Sequence, residues 1–197
     1  IKKRIDAESV GIFPDQNLDD RTIMTFTINF EPNQQEFTAD QYGAEFNRAI
    51  KSASDFGNAV IVIRGHSDPT KTLTDLLKAG MAKGLIRRDG TAGNYKYYFN
   101  GAELNLAAPD VVAAAIRGGA FDGVNPSPRE TMQAALNLSL SRAESVRKAM
   151  AEFATNQKVN LDVSQIQPVG AGISEPLVAK PKNIDEAKKN MRVEFRI

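Results

Sequence analysis

The run Ala59-Val60-Ile61-Val62-Ile63 is apolar at every position and stops at Arg64-Gly65-His66-Ser67-Asp68. A strand without a polar face has to be covered on both sides, so this one predicts a central sheet strand with helices packed over it. The segments around it supply the rest of such a fold. Met24, Phe26, Ile28 and Phe30 alternate with Thr25, Thr27 and Asn29, the period of a half-buried strand across Thr22–Phe30. Thr38 and Gln41 form a capping box, with Phe37 and Tyr42 as a staple, ahead of a helical stripe through Tyr42, Phe46, Ile50 and Ala53. Ser127, Pro128 and Glu130 start a long helix over about 127–155, with an apolar row through Leu136, Leu140, Ala143, Val146, Met150 and Phe153. Residues 163–169 read as a strand that Pro168 confines to an edge or an end. A helix follows at 184–190, then a last strand in which Val193, Phe195 and Ile197 alternate with Arg192, Glu194 and Arg196.

The expected fold class is therefore α+β in two layers, a β-α-β-α-β-α-β core with helices on one mixed sheet. An insertion at about 70–126 interrupts it. That insertion carries a helical pattern near 70–83, then Tyr95–Phe99 leading into Asn100-Gly101, a strong hairpin signal. A short helix from Pro109 to Ile116 ends at Gly118-Gly119. Residues 1–20, with Pro14 and the acidic cluster Asp15, Asp19 and Asp20, read as a linker or N-terminal arm before a domain at 21–197. The chain opens on Ile1-Lys2-Lys3-Arg4, as a piece of a longer protein would.

Composition removes several function classes. A net charge of +1 provides no field for nucleic acid or an anionic membrane. No apolar run is long enough to span a bilayer, so direct membrane insertion by this segment is not expected. With no Cys and a single His, thiolate chemistry and clustered metal ligands are absent, and no cofactor is expected. Ser139 and Ser141 have no neighbouring base, which argues against nucleophilic catalysis.

Two segments remain with chemistry to offer. Asp68 closes the central strand segment, and Arg142 lies in Leu138-Ser139-Leu140-Ser141-Arg142-Ala143 on the long helix. One carboxylate and one guanidinium are the equipment for holding a zwitterionic amino-acid group, the acid facing the ammonium and the guanidinium forking onto the carboxylate. Each also has a plainer reading. Asp68-Pro69 can be a helix cap, and an Arg on a helix is most often a solvated residue. His66 reads as a histidine with a local hydrogen bond. The aromatics of Tyr95–Phe99 read more often as packing than as a stacking platform for sugars or a partner.

Taken in order, these motifs resemble the OmpA-like C-terminal domain, the peptidoglycan-binding module also found in Pal lipoproteins and flagellar stator proteins. The resemblance rests on Ile63-Arg64-Gly65-His66-Ser67-Asp68, on Leu138-Ser139 with Arg142-Ala143 and Val146, on Val169-Gly170-Ala171-Gly172 with Glu175-Pro176, and on Asn190-Met191-Arg192-Val193-Glu194. It implies non-covalent, non-enzymatic binding of the meso-diaminopimelate of a peptidoglycan stem peptide by Asp68 and Arg142, with Arg192 as a weaker participant. It also implies a periplasmic, envelope-associated location within a larger protein.

The sequence departs from the family pattern in four places. Pro69-Thr70-Lys71 follows Asp68 where the family has Asp-x-x-Gly, and about 70 residues separate Asp68 from Leu138 where a loop of about 2–6 is typical. Met191 replaces the first Arg of the closing motif, and Ala135 replaces a polar residue one turn before Leu138. The rival reading keeps the fold but moves the working surface to the insertion, with a protein partner or self-association in place of wall binding. A wall enzyme using His66 and Asp68 is disfavoured, because no second base or metal set accompanies them.

Overall fold

The computed structural model describes residues 25–37, 42–55 and 59–197. The expected arm at 1–20, the start of the first strand at Thr22–Met24 and the Thr38/Gln41 capping box lie outside the described residues. The chain divides into two compact units, each with its own core.

The first unit comprises the chain up to Gly65, Leu138–Gly170 and Met191–Ile197. Its sheet contains β1 (Thr25–Asn29), β2 (Ile61–Gly65), the strand Ile166–Gly170 and the closing strand Arg192–Arg196. In chain order the last two are β6 and β7, after the three short strands of the second unit. The spatial order is β1-β7-β2-β6. β6 runs parallel to β2, while β7 is antiparallel to both β1 and β2, so the sheet is mixed. β2 is interior, and β6, with Pro168 opposite Ile63, is an edge. A proline deletes one ladder donor, which an edge tolerates.

Against one face of this sheet pack α1 (Gly43–Asp55) and the long helix Pro128–Asn156 from Leu138 onward, designated α4 in chain order. Phe26, Ile28, Ile61, Ile63, Val193 and Phe195 from the strands meet Phe46 and Ile50 of α1 and Val146 and Met150 of α4. Phe26 and Phe195, a directly paired couple in the β1–β7 register, stack at 3.9 Å between ring centres and 12° between planes. Such a pair adds about 0.5–1.5 kcal/mol beyond its buried area. Truncation to Phe195→Ala would remove this stack and open a cavity, an expected cost of about 3–5 kcal/mol by denaturant titration.

Two expectations need correction here, for β2 and α4, and β7 adds a finding of its own. β2 is not dry on both faces: Ile61 and Ile63 are buried, Val62 and Arg64 only half-buried, and Val60 is exposed. Its apolar composition reflects an interior place in the ladder more than two helical layers. In β7 the polar row is not turned to solvent, because Arg192 and Glu194 are buried together as an ion pair. The apolar row on α4 is also displaced. Leu136 and Leu140 are exposed, and the buried stripe is Ser139, Ala143, Val146 and Met150. The helix lies so close to β2 that a Cβ built on Gly65 would be 1.9 Å from the Ser139 carbonyl oxygen. Only a glycine fits the strand at that approach.

The second unit comprises His66–Asn137 and Ala171–Asn190. It holds α2 (Thr70–Ala82), the antiparallel sheet β3 (Ile86–Asp89), β4 (Lys96–Phe99) and β5 (Ala102–Glu103), then α3 (Pro109–Arg117), the first turns of α4 and α5 (Ile184–Asn190). β3 was not expected from the sequence; its exposed Arg87, Arg88 and Asp89 lack the apolar alternation of a strand. Leu73 and Leu76 of α2, Ile86, Val112, Ile116 and Phe121 form the core. The insertion thus brings its own apolar interior. Tyr97 and Phe99 pack against that core, while Tyr98 and Tyr95 lie under the guanidinium groups of Arg87 and Arg88 at 4.6 and 4.3 Å. Asn100 and Gly101, with φ of 50° and 79°, make the two-residue turn between β4 and β5. Replacing Gly101 by alanine would force a Cβ into the left-handed region, at about 1–2 kcal/mol in chemical unfolding.

Candidate functional site

β2 delivers the chain into a polar corner. After Gly65 the ladder ends, and His66, Ser67 and Asp68 belong to the second unit. The Ser67 N–H donates to the Gly172 carbonyl at 2.8 Å, and its hydroxyl donates to the Ala135 carbonyl at 2.8 Å. Both bonds pin the backbone next to Asp68. His66 is buried, with Nδ1 3.9 Å from Glu175 Oε2.

The Asp68 carboxylate is held at both ends. Oδ1 accepts from the Thr70 N–H at 2.9 Å, capping the first turn of α2. The plainer reading holds only in part: Asp68 accepts a first-turn N–H, but Pro69 stands at the cap position and not at the first helical one. Oδ2 accepts from Asn190 Nδ2 at 2.8 Å. A carboxylate can accept about four hydrogen bonds, so one at each oxygen leaves acceptor capacity for a cation. Asp68 is half-buried, open enough for a ligand to reach.

Arg142 lies in the first unit and is 1% exposed. Its Nε donates to the Gln34 carbonyl at 2.9 Å and its Nη2 to the Glu31 carbonyl at 3.2 Å. The guanidinium also sits 5.2 Å from the Phe30 ring centre. It is not the solvated helix residue of the plainer reading. It clasps the segment that leaves β1. Burial pulls its pKa down to about 10.

Arg192, also in the first unit, is fully buried. Its Nε and Nη2 both lie 2.7 Å from Glu194 Oε1, and Arg196 Nη2 lies 3.1 Å from the other Glu194 oxygen. Glu194 is thus shared between two arginines of its own strand, two residues to either side. That pairing is legible as an i, i+2 pattern of opposite charges on one strand face.

Sequence reasoning did not assign Asn190 to Asp68, though Asn190 stands in the closing motif. The signal available was weak: a polar residue at the end of a short helix is usually a cap. Among the described residues no group of three or more His, Cys, Asp or Glu is placed to hold a metal ion. No described helix is long and apolar enough to cross a membrane. A cleft of about 400 Å³ opens in the second unit, lined by Phe99, Leu104, Val111, Ala114 and Ala115 among others.

No protein-family model matches the chain, and no curated protein matches it. Among the solved structures that align with it, three align over most of its length at low identity. The peptidoglycan-associated lipoprotein from Burkholderia pseudomallei aligns at 15% identity and a TM-score of 0.46, over 86% of this chain and 87% of that one. The OmpA-like domain of FopA1 from Francisella tularensis aligns at 14% and 0.44, over 88% and 70%. The periplasmic domain of Helicobacter pylori MotB aligns at 14% and 0.46, over 91% and 77%.

Proposed function

We propose that this chain binds peptidoglycan non-covalently and without turnover, as the wall-anchoring domain of a larger periplasmic protein of a diderm envelope. The observation that carries the reading is the Asp68 carboxylate. It is half-buried, fixed by one hydrogen bond at each oxygen, and still has lone pairs to offer. An ammonium of a stem-peptide diaminopimelate is the complementary ligand. Arg142 and Arg192 are assigned to carboxylate groups of the same polymer, Arg192 in a supporting role since Glu194 already engages it. A charge-assisted hydrogen bond contributes about 1.5–3 kcal/mol. A few such bonds make each contact weak and reversible, and the many copies of the ligand in a wall turn this into retention. The order of motifs from Gly65 to Glu194 supports the same reading.

The test is cosedimentation with purified diaminopimelate-type sacculi. Wild-type protein is expected in the pellet. Asp68→Asn retains an acceptor for the Thr70 N–H but removes the charge, and is expected to remain in the supernatant with an unchanged circular dichroism spectrum. The supernatant should contain no released muropeptides. A folded wild-type domain that does not sediment would overturn wall binding, and the insertion-centred interaction reading would replace it.

A further inference from the structure

Asn190 is the last residue of α5 and is wholly buried. Three hydrogen bonds hold its side chain. Oδ1 accepts from the Val178 N–H at 2.9 Å, while Nδ2 donates to the Val178 carbonyl at 2.8 Å and to Asp68 Oδ2 at 2.8 Å. The Val178 N–H requires the oxygen end of the amide, so the network itself determines which way the amide points. The second Nδ2 proton is then directed at Asp68, 122 residues away in sequence.

We propose that Asn190 is the positioning residue for Asp68; the inference rests on the reading of Asp68 as the acceptor for a stem-peptide ammonium. With Thr70 N–H on one oxygen and Asn190 on the other, the carboxylate cannot rotate about its terminal torsion. Its remaining lone pairs face a set direction before any ligand arrives, and no side-chain entropy is lost when one does. The clasp on Val178 makes this orientation independent of the ligand.

The test is Asn190→Asp, which preserves shape and the acceptor for the Val178 N–H but turns a carboxylate oxygen toward Asp68. Two facing carboxylates share a proton as the pH falls, and the shared proton restores the lost hydrogen bond. Titration with a soluble diaminopimelate-containing stem peptide at pH 7.5 should show binding about tenfold weaker than wild type. That deficit should narrow as the pH is lowered toward about 5. Asn190→Ala should lose affinity with no such recovery. If Asn190→Asp binds as wild type at every pH while Asp68→Ala does not bind, the positioning role is overturned and the site reading stands. If Asp68→Ala itself binds as wild type, the site reading fails and takes this inference with it. Should Asn190→Asp not fold, the wild-type side-chain amide signal of Asn190 serves instead. It is expected to shift on saturation with the peptide, and an unmoved signal overturns the proposal.

Discussion

Gly65→Ala is expected to destabilise the protein by about 3 kcal/mol or more and to lower the thermal midpoint by about 10 °C. Gly65 is the last residue of β2, an interior strand, and it pairs with Gly170 on one side and Val193 on the other. A Cβ there would stand 1.9 Å from the Ser139 carbonyl oxygen and 2.8 Å from its carbon. Both are backbone atoms of α4, so no rotamer change relieves the clash. Either the helix moves off the sheet or the strand leaves its ladder. A side-chain clash behaves differently: a Cβ on Gly80 would be 2.5 Å from Cδ1 and 3.0 Å from Cβ of Ile86, atoms of a side chain and not of backbone. Gly80→Ala should therefore cost clearly less than Gly65→Ala when both are measured by denaturant titration. Equal and small losses for the two variants would show that α4 is not held where this contact requires.

Arg142→Ala is the second large effect, with an expected loss of about 2–4 kcal/mol. Removing the side chain deletes the charge-assisted hydrogen bonds to the carbonyls of Gln34 and Glu31 and leaves the space unfilled. Arg142→Met separates the parts of this effect. Methionine keeps most of the volume, forfeits the hydrogen bonds and removes a buried charge, so a loss of only about 1 kcal/mol is expected.

The pH dependence carries the same sign. The folded guanidinium titrates at about 10, below the ordinary arginine value, because burial disfavours the cation. Between those two values the unfolded chain binds more protons, so this group's contribution to stability rises with pH there. At neutral pH its charge opposes folding, and the carbonyl bonds offset that opposition. A folded Arg142→Met protein then tests wall binding without the confusion of unfolding. Retained sedimentation with sacculi would confine Arg142 to clasping the segment after β1.

Much of the architecture was legible because its signals are local. The alternation of Phe26 and Ile28 with Thr27, the staggered apolar row of α1 and the Ser127-Pro128 start of α4 are short-range patterns with short-range causes. The Ser127 hydroxyl does accept the Glu130 N–H, at 3.2 Å. Where the pattern failed, a tertiary constraint overrode it. Leu136 and Leu140 continue an apolar row at steps of four, yet the buried face of α4 passes through Ser139 because Gly65 brings β2 against the helix there. Alternation in β7 does not say that its charged row is buried, and the pairing with Glu194 makes the burial of Arg192 tolerable.

The candidate site divides in the same way. Asp68 and Arg142 stood out as residue types in recognisable company, and an Asp68 bond to the start of α2 was foreseeable from Asp68-Pro69. The partners were not foreseeable. Arg142 is bound by carbonyls 108 and 111 residues away, and every residue has a carbonyl, so no sequence signal marks Gln34 or Glu31. Asn190 reaches Asp68 only because the chain from Ala171 returns to the corner after β2. By itself the sequence determined the order of strands and helices outside β3, the edge place of β6 and the Asn100-Gly101 turn, since backbone preference and side-chain period act over a few residues. Only the tertiary structure decided how closely α4 approaches β2, which carbonyls hold Arg142 and what orients Asp68, since those depend on where distant backbone is brought by the closing of the sheet.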